Sequence, residues 1–365
     1  MTQEQQARLQ RLFLLLLLAL ASATACPAEE VEPEPMARAW KILKKRDWFI
    51  QRMTATPRTA QLCCDNQGVP LRGAKSPLIL VARSHLILTL PQCIASNLPE
   101  VSVQIGDGEP LPAVWQKTSN IPSLEVTLPE TVQSGALVVS GAGKVLWQHY
   151  AYITHALPLA PQVPAWRGVL DDACRWAKGA YTPKEIIAKL THGLFTSGRF
   201  VYPANDPTKR ATFVKRNTFA LKNFLSEEGP RVGNCVDISD YLVICAAALG
   251  VPLRLVQLTD SQNRLLVTNP ICPIGWDASD PESYQSVRCT MHQVAYLPGE
   301  NRLFDACFFS PRTGSSTRNP VPTFSWDAAQ IQNYWQSEDT TRGFVSRPHQ
   351  SVPLALLSAK VPAVE

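Results

Sequence analysis

The chain has 365 residues, which is enough for two domains, and its 45% hydrophobic content is that of a folded, globular protein. Only 18% of the residues are charged and the net charge is +5. No dense basic run follows the first residues, so the composition argues against nucleic acid as a partner.

Residues 1–25 have the pattern of an export signal. Arg8 and Arg11 precede an apolar run at residues 12–20, and small residues follow at 21–25. The apolar run is shorter than the roughly 20 residues that a transmembrane helix needs. We therefore expect signal cleavage and a periplasmic or extracellular protein.

Cys26 follows the small residues directly, so a bacterial lipoprotein with lipid on Cys26 is the alternative. Ala23 argues against it, because the lipoprotein pattern prefers leucine at that position. Lipidation is the only membrane contact that the sequence predicts. Residues 26–60 are expected to form a tether and a short helix within 36–56.

Residues 61–156 predict an antiparallel β-sandwich domain. Short apolar runs are separated by glycine and proline turns, as in sandwich folds. The predicted strands are Leu78–Val81, His85–Leu90, Val101–Ile105, Leu124–Leu128, Leu137–Val139 and Val145–Trp147. Three prolines in residues 157–164 then predict a stiff linker.

Residues 165–345 predict an α+β catalytic domain, followed by a C-terminal tail at 346–365. Its first helices are expected near 168–178 and 183–194, with Thr182 as N-cap and Pro183 at the first helical position. The predicted elements also include a polar loop over the site at residues 205–223 and a short helix at 327–336.

Cys235 is expected at the first position of a helix. Asn234 is a good N-cap, Asp237 can complete a capping box, and Gly250 with Pro252 ends the helix. The free N–H groups and the positive end of the helix dipole favour a thiolate at such a position.

A predicted hairpin supplies partners for this thiol. If Leu297 pairs with Arg302, then His292 pairs with Cys307 and Asp305 lies diagonally across from His292. A histidine held by a carboxylate beside an activated cysteine is the arrangement of cysteine-dependent acyl transfer.

These motifs resemble the transglutaminase-like superfamily. The similarity covers roughly residues 165–310 and includes Gly233-x-Cys235, the run from Gly250 to Arg254, and the hairpin with His292 and Asp305. One departure is Ala306-Cys307 after Asp305, where the family more often has proline. The resemblance implies a transglutaminase- or papain-like core with Cys235, His292 and Asp305 as catalytic triad.

The resemblance further implies an exported cysteine protease or amidase that attacks a carboxamide carbonyl and forms a thioester. Tyr202 and Asn217 are candidate oxyanion donors by position, beside the Cys235 backbone N–H. The expected partner is a protein or peptide substrate, including cell-wall peptide. The sequence predicts no cofactor and no metal site. A protein-crosslinking transglutaminase and a non-catalytic binding module on the same fold are the alternatives.

The remaining cysteines allow disulfides in an exported protein. Cys63 and Cys64 are too close along the chain to bond each other, so one of them could pair with Cys93. Cys272 with Cys289 is a second predicted bridge, and Cys245 is expected in the core.

The signal predicts the start of the mature protein. Because the small residues at 21–25 form the cleavage zone, the mature chain should begin between Ala23 and Ala28. Intact-mass analysis of protein from its native host measures this. A diacylglycerol-sized addition on Cys26 would establish the lipoprotein alternative, and a retained Met1 would contradict processing.

Overall fold

The computed structural model describes a mixed α and β architecture with several small sheets and few helices. The described residues are 50–53, 63–64, 77–89, 101–116, 123–141, 144–159, 165–203, 212–215, 218–260, 266–268, 270–300, 302–309, 323–325 and 344–348. Among them, no helix is long and apolar enough to cross a membrane. The predicted signal, Cys26, Cys93, Asn217 and the helix expected at 327–336 lie outside these ranges.

Three of the described helices follow the sequence prediction, and the one at Leu221–Ser226 was not predicted. The described helices are α1 (Arg167–Trp176), α2 (Pro183–Thr196), α3 (Leu221–Ser226) and α4 (Cys235–Ala248), with 3-10 turns at Pro281–Ser283 and Pro298–Glu300. Helix α2 begins as predicted, because Thr182 caps it and Glu185 closes a capping box around Pro183.

The described strands are short, with two longer exceptions in the first half of the chain. They are β1 (Ile50–Met53), β2 (Cys63–Cys64), β3 (Leu78–Val81), β4 (His85–Thr89), β5 (Val101–Ile105), β6 (Ala113–Gln116), β7 (Ser123–Thr127), β8 (Gln133–Gly141), β9 (Lys144–Thr154), β10 (Ala165–Trp166), β11 (Phe200–Val201), β12 (Val214–Lys215), β13 (Thr218–Phe219), β14 (Arg231–Val232), β15 (Arg254–Asp260), β16 (Leu266–Val267), β17 (Cys272–Pro273), β18 (Arg288–Cys289), β19 (His292–Leu297), β20 (Arg302–Phe304), β21 (Phe308–Phe309), β22 (Thr323–Ser325) and β23 (Phe344–Pro348).

Two four-stranded sheets share a core of their own in the first half of the chain. Their strand orders are β1-β4-β7-β6 and β3-β9-β8-β5. Leu86, Val103, Val126 and Leu137 are among the buried side chains of this core. All of the predicted strands are present, and β6 is an additional strand that was not predicted. Residues 50–53, which lie in the segment predicted to be helical, form strand β1 instead.

One pairing corrects the prediction of a purely antiparallel sandwich. Strand β3 runs parallel to the end of β9, with Leu78 opposite Ala151. Ile79 packs into the core around the helices, whereas Leu80 packs into the sandwich core. A strand buried on both faces is typical of parallel pairing, and this one joins the two cores.

A second core forms around helix α4. The antiparallel sheet β22-β20-β19-β15-β23 lies beside it, and α1 and α2 contribute to the same cluster of buried side chains. The last strand of this sheet spans Phe344–Pro348 and so crosses the predicted boundary between residues 345 and 346. Residues 50–365 group as one compact unit. The division of these residues into a sandwich domain and a catalytic domain therefore stays a prediction.

The segment predicted as a polar loop at 205–223 contains core elements. Phe213, Phe219 and Leu221 are buried, and β12 pairs with β13 just before α3 begins. Phe224 of α3 and Phe219 just before this helix pack against the Tyr241 ring of α4, with ring centroids 4.3 Å and 5.9 Å from it. Burial of the aromatic side chains therefore places this segment in the core although many of its neighbouring residues are polar.

Part of the predicted linker packs on the end of α4. The N–H of Ala156 donates to the carbonyl of Leu249 at 3.1 Å, and the N–H of Leu159 donates to that of Ala247 at 3.1 Å. Gly250 follows with φ +78°, and a Cβ on it would lie 2.7 Å from the Ala156 backbone. The close approach requires glycine at this position.

Gly250→Ala should therefore destabilise the fold by about 2–4 kcal/mol, which combines the strain of positive φ with the steric clash. Gly198→Ala is the matched control, because Gly198 has φ +68° but a Cβ added there would meet nothing within 4 Å. It should lose only about 1 kcal/mol. Urea unfolding measures both, and equal losses would contradict the packing of residue 156 on this helix end.

Candidate functional site

Cys235 begins helix α4, as the sequence predicts. The side chain of Asn234 accepts from the N–H of Val236 at 2.9 Å and from that of Asp237 at 3.4 Å, and the Asp237 carboxylate accepts from the Asn234 N–H. This capping box leaves Cys235 in the first helical turn, where only 6% of it is exposed.

Gly233 is required two residues earlier. A Cβ at this position would lie 2.8 Å from the Phe200 ring and 3.2 Å from the Asp237 side chain. The Gly-x-Cys motif therefore lets the chain pass between the aromatic core and the helix start.

Asp237 also holds the neighbouring chain in place. Its carboxylate accepts the backbone N–H groups of Thr212 and Phe213 at 2.8 Å and that of Val214 at 2.9 Å. Asp237 is completely buried, so these bonds replace water around its charge. The helix start and the segment at 212–214 are thereby fixed together.

His292 and Asp305 form a buried pair. Nε2 of His292 lies 2.6 Å from Oδ2 of Asp305, and neither residue is exposed to solvent. The hairpin register predicted from Leu297 and Arg302 is confirmed. The pairing of His292 with Cys307 is wrong, because the ladder ends at Phe304 and the chain turns away to form β21.

The structure also brings Cys235 to His292. Burial alone lowers the pKa of His292, but the Asp305 charge and hydrogen bond, together with a hydrogen bond to Cys235, raise it to about 10. Asp305 faces Nε2, so Nδ1 is the ring nitrogen that remains for a second partner. The arrangement favours a protonated imidazole, against which the Phe308 ring stacks with the two ring centroids 5.0 Å apart.

Cys307 is a site residue that the sequence reasoning did not include. Its backbone N–H donates to Oδ1 of Asp305 at 2.7 Å, while Oδ2 of the same carboxylate faces His292. The Cys307 thiol is buried beside Asp305, and burial first and the Asp305 charge second raise its pKa well above the usual range. The Asp-x-Cys spacing and the predicted pairing of Cys307 with His292 were the available signals.

Tyr202 lies against the same group of residues. Its ring centroid is 4.7 Å from that of Phe308, and its carbonyl accepts from the Trp276 indole at 3.3 Å. Burial and the nearby Cys235 charge raise the pKa of the Tyr202 hydroxyl, which keeps it protonated and able to donate. Asn217, the other predicted oxyanion donor, is not among the described residues.

The predicted disulfide between Cys272 and Cys289 is wrong. Both thiols are free, because Cys272 lies in the ladder with β21 and Cys289 in the separate ladder with β16. Burial raises the pKa of Cys289 to about 12, with smaller contributions from the charges of Cys235 and Asp305. Cys245 is fully buried in α4 as predicted, and the proposed bridge from Cys63 or Cys64 to Cys93 lies outside the described side chains.

His292, Asp305 and Cys307 are also the described group whose side chains could hold a metal ion, with ligand atoms within 4.8 Å of one another. The 2.6 Å separation of Nε2 and Oδ2 is that of a hydrogen bond. Two ligands of a tetrahedral zinc ion would lie about 3.3 Å apart. The observed geometry therefore fits a shared proton better than a metal ion.

Comparison with known proteins gives a structural similarity with a low TM-score and no sequence match. The sequence matches no protein-family model and no curated protein. Its structure is similar to the crystal structure of red sea bream transglutaminase, with 11% sequence identity over 66% of this chain and a TM-score of 0.38. The chain spans about half the length of that protein, since the similarity covers 50% of it.

The His292–Asp305 pair predicts a pH-dependent stability. Because the folded protein raises the pKa of His292 from 6.5 to about 10, the pair's contribution is complete below pH 6.5 and is lost as pH rises through 10. The free energy of unfolding of wild type minus that of His292→Gln should therefore fall between pH 6 and pH 10. Chemical denaturation at several pH values measures this difference.

His192→Gln is the matched control, because His192 is exposed on helix α2. Subtracting its effect removes the contribution of a histidine that is not part of the buried pair. A wild-type minus His292→Gln difference that stays constant from pH 6 to pH 10 would contradict a charged imidazole beside Asp305.

Proposed function

We propose that this chain is a cysteine-dependent acyl-transfer enzyme of the transglutaminase-like superfamily that hydrolyses peptide or carboxamide bonds. The observation that carries the proposal is the buried His292–Asp305 pair, whose imidazole lies near enough to the helix-start Cys235 for that residue to raise its pKa. A nucleophile, a base and an orienting carboxylate in this order form the chemical unit of acyl transfer.

In the proposed reaction the Cys235 thiolate attacks the carbonyl carbon of the substrate. The His292 imidazolium gives its proton to the departing amine, which leaves a thioester on Cys235. His292 then accepts a proton from water as the water attacks the thioester, so that the carboxylic acid leaves and the Cys235 thiolate and His292 imidazolium are restored. Asp305 keeps the ring oriented and stabilises its charge throughout.

The oxyanion formed in each attack needs donors. The backbone N–H of Cys235 is in the first helical turn and has no partner within the helix, which makes it one candidate. The protonated Tyr202 hydroxyl is the second, because this buried residue lies close enough to Cys235 for the thiolate charge to affect its pKa. These donors would stabilise the tetrahedral intermediate more than the substrate.

The proposed partner is an extracytoplasmic protein or peptide, including cell-wall peptide. This part of the proposal rests on the signal-like sequence of residues 1–25. Mass spectrometry of a peptide and cell-wall fragment library after incubation identifies the reaction. Cleavage would support hydrolysis, loss of ammonia would indicate deamidation, and incorporation of an added amine would indicate cross-linking.

Substitutions should rank the three residues by role. Cys235→Ala and His292→Ala should each remove nearly all turnover, whereas Asp305→Asn should be roughly a hundredfold less severe, because it only orients the ring. The Cys235→Ala, His292→Ala double variant should be no worse than either single variant. Turnover of one amide substrate, with circular dichroism to confirm folding, measures the series.

Cys245→Ala provides a matched control, since Cys245 is a fully buried cysteine of the same helix. It should keep turnover if the variant remains folded. Near wild-type turnover of folded Cys235→Ala would show that the mechanism is wrong. Full activity of Asp305→Asn would show that this carboxylate is structural.

A further inference from the structure

Acyl transfer requires the thiol and the imidazole at a fixed distance, yet Cys235 and His292 belong to different elements. Cys235 is fixed by the cap of α4, and His292 is fixed in the sheet by its pairing with Leu258. Asp305 and Phe308 orient the imidazole, but both follow the same hairpin. Contacts between α4 and β19 must therefore set the distance between the two reacting side chains.

Polar contacts between α4 and β19 converge on Gln293, the residue next to His292. The Gln293 Nε2 donates to Oδ1 of Asp240 at 2.8 Å and makes a longer contact of 3.5 Å with the Val236 carbonyl. The Ser239 hydroxyl donates to the backbone carbonyl of Gln293 at 2.7 Å. All of these partners lie in the first two turns of α4, close to Cys235.

These bonds are buried and hence sensitive to geometry. Gln293 is 1% exposed, Ser239 is 2% exposed and Asp240 is 5% exposed. A buried acceptor that loses its donor destabilises the local arrangement, since water does not replace the bond. The backbone carbonyl and the side chain of one residue thus join the strand to adjacent positions on the helix.

We propose that Gln293 is a positioning residue that sets the separation of the Cys235 thiol and the His292 imidazole through Asp240, Val236 and Ser239. The inference rests on the proposed triad and adds the residue that holds Cys235 of α4 and His292 of β19 in register. A shift of about 1 Å between reacting groups can reduce a rate on the order of a hundredfold. Gln293 therefore affects the reaction without contacting the substrate.

The test measures the alkylation of Cys235 by iodoacetamide between pH 5 and pH 9, mapped by peptide mass on the full chain. Wild type should react well below pH 8, as a thiolate–imidazolium pair does. Gln293→Leu should lower the rate near pH 6 by about tenfold or more and move the profile toward that of an ordinary thiol. A purely structural role would leave the profile of the folded variant unchanged.

A reversed hydrogen bond supplies the rescue. Gln293→Glu places a carboxylate against Asp240 and should also move the profile, whereas Gln293→Glu with Asp240→Asn restores a donor and an acceptor and should recover most of the low-pH rate. Gln104→Leu is the matched control, because the Gln104 side chain donates to the Gly108 carbonyl at 2.6 Å within the sandwich. Its profile should match wild type.

Each outcome bears on one of the two proposals. An ordinary thiol profile in wild type would overturn the proposed triad itself. The positioning role would be overturned if folded Gln293→Leu kept the wild-type alkylation rate at low pH. It would also be overturned if the double variant reacted no faster at low pH than Gln293→Glu. If Gln293→Leu does not fold, Ser239→Ala tests the same contact from the helix, and an unchanged profile in that variant overturns the inference.

Discussion

The structure depends on burying most of helix α4 although this helix carries charged residues. Asp237 is 0% exposed and Asp240 is 5% exposed, while Ile238, Tyr241 and Leu242 fill the surrounding core. An unpaired charge in such a place would cost several kcal/mol, so each carboxylate needs partners from other elements. The helix can therefore dock only where those partners are supplied.

The partners come from different parts of the chain and fix its arrangement. Backbone N–H groups of the segment at 212–214 surround Asp237, and Gln293 of β19 reaches Asp240. Asp172 of α1 accepts from Tyr241 at 2.8 Å and from Arg199 at 2.6 Å. Helix, sheet and connecting segments are thus joined by directional bonds as well as by apolar packing.

Burying a carboxylate on α4 destabilises its charged form, as Asp240 shows. Burial, opposed by the hydrogen bond from Gln293 and reinforced by the Asp237 charge, raises the pKa of Asp240 to about 7. The opposite occurs at His292, where the attraction of Asp305 outweighs burial and stabilises the charged ring. Burial therefore dominates at Asp240 of α4 and favours its neutral form, whereas the ion pair dominates at His292 of β19 and favours its charged form.

The local sequence predicted the elements better than their connections. The capping box at Asn234 and the hairpin register at Leu297 follow from short-range rules of turn and helix chemistry, and both are present. The extension of that register to Cys307 failed because β21 finds its partner in β17, far back in the chain. The sequence assigns no role to Gln293 or Cys307, because Gln293 meets Asp240 and Cys307 bonds to Asp305 only in the folded chain.

The sandwich is likewise more than an appended module, because its contacts reach the helix that carries the thiol. Residues 156 and 159 bond to the carboxyl end of α4, and β3 contributes Ile79 to the helical core and Leu80 to its own. Helix α4 is therefore held at its first turn by the site and at its last turn by the chain leaving the sandwich. Because a helix is nearly rigid along its axis, a displacement at Gly250 would be carried to Cys235. The position of the thiol thus depends on both cores.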